Sequence, residues 1–206
     1  ANSGLEPYSE YYASQVAGAM NVNYVPYTLE KWKGILCSVC DLFTSEEISF
    51  VPAHIAFQNV RGIELLKQAV GTDNYSALVD LLIFDTVIAN QDRHYGNFGM
   101  LRDNHTGELI KLAPIFDNGM SLLHQAMRTD FEDLDSYLGW REFTFLFARN
   151  NRLESIRAFM EPSHKAKLRK LLNFSFDKHP QYNLNDSRLD FLSEFVRNRS
   201  RMLLNV

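Results

Sequence analysis

Two short segments of the 206-residue sequence carry side chains whose types and spacing suit phosphoryl transfer. The first is Asp92-Arg93-His94-Tyr95-Gly96-Asn97, and the second is Phe116-Asp117-Asn118-Gly119. Moving a γ-phosphoryl group to a hydroxyl needs a carboxylate to take or orient the hydroxyl proton. It also needs oxygen ligands for Mg²⁺ and donors that offset developing charge. Asp92 can supply the carboxylate, and Asn97 and Asp117 the oxygen ligands. Arg93 and His94 are placed either to approach a phosphate or to brace the loop, and Arg93 has a structural alternative in pairing with Asp85. Asp and Asn in loops commonly form turns with their own backbone, so either segment alone says little. The two in this order, with a hairpin signal between them, point to a metal and phosphate site.

Several elements must hold these segments. A helix is expected over residues 75–89, because Leu78, Leu81, Leu82, Val87 and Ile88 cover more than one of its faces and call for burial on most sides. Asp85 lies on that helix on about the same face as Asp92. A carboxylate buried there needs a partner, so Asp85 is expected to anchor the loop. A polar loop follows at 90–96. Strands are expected over 97–102 and 109–113, joined by the turn Asp103-Asn104-His105-Thr106-Gly107. Upstream, a helix is expected over 8–20, with Ser9 as its cap and Ala13, Val16, Ala17 and Met20 on one face. Strands over 21–29 and 34–43, a turn at 44–47 and a connector at 48–54 come next. Downstream, helices are expected over 132–137, 142–148, 153–159, 163–173 and 187–204, bounded by Pro162 and Pro180. Strands and helices are segregated, which indicates an α+β, mostly helical domain.

Composition narrows the classes. Apolar residues make up 46% and charged residues 22%, as in ordinary globular chains, and the 15 Phe and 9 Tyr argue against disorder. A net charge of -4 lacks the basic footprint of direct nucleic-acid binding. No run approaches the roughly 18 apolar residues of a membrane span, and no signal peptide is visible. Cys37 and Cys40 sit in a strand-like run, where an odd offset puts them on opposite faces. That disfavours a redox pair or a zinc half-site. Two buried thiols in a reducing, cytoplasmic setting are expected instead.

Asp92-Arg93-His94-x-x-Asn97-Phe98, a short hairpin, and then Phe116-Asp117 together resemble the HipA-like kinases of bacteria, serine/threonine kinases distantly related to eukaryotic protein kinases. The resemblance is sharpest over residues 78–124, with softer matches around Glu10 and in the helical C-terminal half. It implies a protein-kinase-like C-lobe with a remnant of the N-lobe sheet. Residues 1–54 would end the N-lobe, with the helix carrying Glu10, strands and a hinge, and 55–206 would form the helical catalytic C-lobe. It implies Asp92 as catalytic base and Asn97 and Asp117 as nucleotide-binding Mg²⁺ ligands, with Arg93 and His94 beside them. Asp41 and Phe43 would form the hinge toward adenine, and Glu10 would be the helix glutamate that pairs with a strand lysine. The triplet runs Asp-Arg-His where protein kinases have His-Arg-Asp, so His94 does not inherit the packing role of the kinase histidine.

The resemblance further implies ATP and Mg²⁺ as cofactors, a protein substrate offering a Ser or Thr hydroxyl, and an antitoxin-like protein as a candidate partner. The sequence has no G-x-G-x-x-G, and its lysines before Tyr75 are Lys31, Lys33 and Lys67, none ahead of the first helix. The chain is therefore expected to be a fragment of a kinase, lacking the Gly-rich loop and strand Lys and inactive alone. Two alternatives stay open. A pseudokinase or toxin–antitoxin-type binding module would account for the missing loop and lysine. A lipid or small-molecule kinase is allowed because phosphoinositide kinases share the Asp-Arg-His-x-x-Asn arrangement, although no basic amphipathic face suits a lipid surface.

Overall fold

Helix α1 (Glu6–Met20) begins two residues earlier than its periodicity suggested, because Pro7 fits the first turn and Glu6 faces the positive helix end. Ser9 is therefore inside the helix and not its cap. Its hydroxyl donates to the Ser121 carbonyl at 3.0 Å. Ala13, Val16, Ala17 and Met20 are all buried, as their spacing predicts. The computed structural model describes residues 4–58, 60, 62–139 and 152–205. The helix expected over 142–148 lies outside them.

After α1 the chain does not enter a strand at once. Residues 21–27 run as a loop beside Ile115, with Val25 N donating to the Ile115 carbonyl and Ile115 N to the Asn23 carbonyl. Strands β1 (Thr28–Trp32) and β2 (Ile35–Val39) then form an antiparallel hairpin, so both expected strands are shorter than their sequence signal. Lys33 and Gly34, both at positive φ, make the two-residue turn between them, the geometry that matches strand twist. Cys37 is half-buried and Cys40 exposed, correcting the expectation of two buried thiols. The hairpin buries Leu29 on one side, while Trp32, Ile35 and Val39 on the other are exposed among the described residues.

The expected connector at 48–54 is mostly a strand. β3 (Ile48–Pro52) pairs antiparallel with β4 (Gly99–Asp103), which in turn pairs with β5 (Leu109–Leu112). Pro52 ends β3 and disguised it, since proline cannot donate into a ladder. The β4–β5 turn forms as read. Asp103 accepts from the His105 and Thr106 amides, which hold its carboxyl below the usual range, and Gly107 supplies the positive φ. Short helix α2 (Ala53–Ala56) leads to α3 (Ile63–Val87), whose two helical segments meet at Gly71, at φ 72°. The second segment is the buried helix the sequence predicts: Leu78, Leu81, Leu82, Ile83, Phe84 and Val87 are all nearly inaccessible. Each such side chain contributes about 1.5–3 kcal/mol of burial.

The helical remainder comprises α4 (Leu134–Leu138), α5 (Arg152–Phe159), α6 (Pro162–Arg169) and α7 (Asp186–Leu204), with a 3₁₀ turn at Lys170–Asn173. Leu189, Leu192, Val196 and Leu203 of α7 join the side chains of α1 and α3 in one core. Arg199 of α7 also donates twice to the Thr86 carbonyl, fastening the C-terminal helix to the end of α3 just before the polar loop.

Candidate active site

The end of α3 sets the first segment. Ala89 takes a positive φ, and Asn90 N returns to the Asp85 carbonyl, which turns the chain out of the helix. Asp85 is fully buried and does anchor the loop, as its place in an apolar helix requires. Asn90 Nδ2 donates to Asp85 Oδ1 at 3.1 Å, and Asn90 Oδ1 accepts from the Asp92 amide at 3.0 Å.

Arg93, also buried, is the centre of the arrangement. Its Nε lies 3.0 Å from Asp85 Oδ2, and Nη2 donates to Asp85 Oδ1 and to Asn118 Oδ1. Its Nη1 donates to the Asn97 carbonyl at 2.7 Å and the Phe116 carbonyl at 2.6 Å. A guanidinium has five N–H groups, and these contacts engage all three nitrogens. Of the two roles open to Arg93 in the sequence, the geometry supports bracing and leaves no donor for a phosphate.

That brace brings the two predicted segments together. Asn97 is buried, and its Nδ2 donates to the Asp92 carbonyl at 3.1 Å. Among the described residues no hydrogen bond uses its Oδ1. Asp117 has φ 57°, a left-handed conformation that costs a non-glycine residue about 1–2 kcal/mol. Its exposed carboxylate titrates above the usual range, first through loss of water around it; the Asp92 charge adds to this, while Arg93 and His94 oppose it. Asp92 and His94 therefore lie near enough to Asp117 for their charges to act on its carboxylate. Asp92 is exposed. His94 is exposed as well, and its Nδ1 accepts from the Gly96 amide at 2.9 Å, closing a turn.

Helix α1 holds the second segment from the opposite side. Glu10 Oε1 accepts from the Asn118 amide at 2.6 Å and the Gly119 amide at 2.9 Å. Burial raises the Glu10 carboxyl to about 7, and the two amide bonds counter this only in part. Behind Asp117, Phe116 packs on Phe43 and Phe50, with ring centroids 5.2 Å away in each case. Phe43 of the expected hinge thus touches the second predicted segment through Phe116. Asp41 is exposed and makes no hydrogen bond or ion pair among the described residues.

Sequence reasoning did not single out Asn90 or Asn118, nor the bond from Ser9. Asn90 carried a usable signal: a polar residue at the exit of a buried helix, five positions after a buried Asp. Asn118 carried none beyond adjacency to Asp117, because its partners lie on α1 and in the first segment.

An Asn amide oxygen and an Asp carboxylate suit Mg²⁺, which takes few protein ligands and fills its octahedron with water and phosphate oxygens. No group of three His, Cys, Asp or Glu able to hold a metal occurs among the described residues. The fold is mixed α/β and kinase-like.

Comparison with known proteins agrees. The chain is 28% identical over 137 residues to the serine/threonine-protein kinase CtkA of Helicobacter pylori, a match covering 58% of this chain and 41% of that protein. The match thus spans about two fifths of the curated relative's length. The crystal structure of a Helicobacter pylori proinflammatory kinase CtkA superposes with a TM-score of 0.68 at 19% identity, covering 98% of this chain and 85% of that one. HipA in the Shewanella oneidensis toxin–antitoxin complex of HipA, HipB and operator DNA gives 0.52 at 10% identity, covering 97% and 56%. No protein-family model matches the chain. The likeness to HipA-like kinases read from Asp92 to Asp117 is therefore found in both sequence and fold.

Proposed function

We propose that this chain is the catalytic lobe of an ATP- and Mg²⁺-dependent serine/threonine protein kinase. The observation that carries the reading is the single buried Arg93, which bonds the carbonyls of Asn97 and Phe116 and so fixes both ligand-bearing segments against each other. In this reading residues 55–206 form the large lobe and residues 1–54 the end of the small lobe, with Asp41 and Phe43 at the adenine-side hinge. Asn97 and Asp117 would hold Mg²⁺, which when bound neutralises charge on the β- and γ-phosphates.

The chain's own residues would do the rest. The Asp92 carboxylate accepts the proton of a protein Ser or Thr hydroxyl as that oxygen attacks the γ-phosphorus. The bond from phosphorus to the β–γ bridging oxygen breaks, and ADP leaves. His94 shapes the turn between base and ligand. Arg93 positions the loop and touches no reacting atom.

A reducing, cytoplasmic setting fits free Cys37 and Cys40. Among the described residues no helix is long and apolar enough to cross a membrane. An antitoxin-type protein partner is proposed by analogy with the HipA–HipB complex.

The test is transfer of labelled phosphate from ATP to protein, inositol lipid and sugar acceptors by the full reading frame. Protein labelling that disappears in Asp92→Ala and Asp117→Ala variants with unchanged circular dichroism is expected. Undiminished transfer by Asp92→Ala would remove Asp92 as the base, and labelling of lipid or sugar alone would replace the substrate class.

A further inference from the structure

The glutamate of α1 has two jobs open to it. In the family pattern it pairs with a lysine. Among the described residues it meets backbone. Glu10 is 7% exposed, and among the described residues no lysine or arginine forms an ion pair with it. A single oxygen, Oε1, accepts from both the Asn118 and Gly119 amides, the two that directly follow Asp117. Its Oε2 lies 3.4 Å from Asn118 Nδ2. The same stretch is tied at neighbouring points. Ser9 Oγ donates to the Ser121 carbonyl, Gln91 N to the Met120 carbonyl, and Leu122 N to the Ile88 carbonyl. The fit is tight at Gly119: a Cβ there would sit 3.3 Å from Glu6 Cβ and 3.7 Å from Glu10 Oε1.

We propose that Glu10 is a positioning residue that acts through its oxygen on the Asn118 and Gly119 amides, holding Asp117 in its left-handed conformation within the segment that Arg93 ties to Asn97. Reach and acceptor capacity matter in this role, and negative charge does not. An unheld Asp117 relaxes toward negative φ, since the left-handed region is unfavourable for it. Its carboxylate then leaves the position it holds beside Asp92 and His94. The inference deepens the metal-site reading and rests on it for its consequence, but the pin itself can be measured without metal.

Two near-isosteric changes separate reach from charge. Glu10→Gln keeps an acceptor oxygen at full length and loses the charge. Glu10→Asp keeps the charge and is shorter by one methylene. Amide hydrogen exchange at Asn118 and Gly119, followed by NMR in metal-free buffer, should show both amides protected in wild type and in Glu10→Gln. In Glu10→Asp both should exchange about tenfold faster or more, the loss of one hydrogen bond to a charged group. In parallel, Mn²⁺ is titrated as a stand-in for Mg²⁺ with a non-hydrolysable ATP analogue present, and free Mn²⁺ is read by electron paramagnetic resonance. Affinity should follow the same order, with Glu10→Gln within about threefold of wild type and Glu10→Asp at least about tenfold weaker. The opposite order, Glu10→Gln losing protection and affinity while Glu10→Asp keeps them, would assign Glu10 to a charge pair and overturn the pin. Protected wild-type amides without Mn²⁺ binding would instead reject the metal reading and leave the pin standing.

Discussion

Arg93→Ala is the perturbation that presses hardest on the architecture of the site. It removes one member of an ion pair whose side chains are both 0% exposed. Leaving a buried charge without its partner costs about 3–5 kcal/mol. The substitution also strands the Asn97 and Phe116 carbonyls and Asn118 Oδ1, each of which had a charged donor. These losses share one network and do not add, so a total of at least about 4 kcal/mol is expected. That is much of the roughly 5–15 kcal/mol that holds a domain together. With a urea slope of about 2 kcal/mol/M, the midpoint followed by circular dichroism should fall by about 2 M. The companion variant Asp85→Leu with Arg93→Met separates stability from function. An apolar pair of similar volume removes the unpaired buried charge, so folding should recover in part, short of wild type because the Asn97 and Phe116 carbonyls stay unpaired, while the bracing of Asn97 and Phe116, and with it Mn²⁺ affinity, should not recover. A loss below about 1 kcal/mol for Arg93→Ala, the range of an exposed pair, would refute the brace. So would wild-type Mn²⁺ affinity in the double variant.

Two further outcomes follow from the same geometry. His124 is buried, neither ring nitrogen has a hydrogen-bond partner among the described residues, and burial holds its pKa below the ordinary 6.5. The unfolded chain therefore takes up this proton first as pH falls. Its contribution to stability is complete above about pH 6.5 and is lost as pH drops through the folded value. Urea titrations across that range should show a slope in wild type that His124→Phe flattens. Gly99→Ala would place a Cβ 2.1 Å from the Val51 carbonyl oxygen, so it should split β3 from β4. A loss of about 2 kcal/mol or more is expected, with faster exchange at the Ala53 amide that bonds the Phe98 carbonyl.

Much of the site was legible because its signals are local. Asp92 and Asn97 lie in one loop. The apolar run ahead of them predicts a buried helix, and Asp103 with Gly107 predicts the hairpin that carries the chain on toward Asp117. Asp85 was readable as an anchor, since a carboxylate in an apolar helix needs a partner. The misread elements have partners far along the chain. β3 pairs with β4 about fifty residues later, and Pro52 hid it. The hairpin of β1 and β2 was blurred because Lys33 takes a positive φ that its residue type does not advertise. Ser9 was read as a cap, although its partner is Ser121.

Residue types and spacing alone therefore determined which side chains could do chemistry, Asp92, Asn97 and Asp117, and the helix and hairpin that deliver them. Only the tertiary structure decided what the supporting charges do. Arg93 could have reached a phosphate, but once Asp85, Asn97, Phe116 and Asn118 converge on it, burial satisfies all three of its nitrogens internally. The packing of α1 against the segment that follows Phe116 puts two backbone amides on the Glu10 carboxylate, contacts that its place in a helix did not announce. A side chain's type sets what it can bond, whereas the partner a buried charge finds depends on which distant segments the fold brings within hydrogen-bond reach.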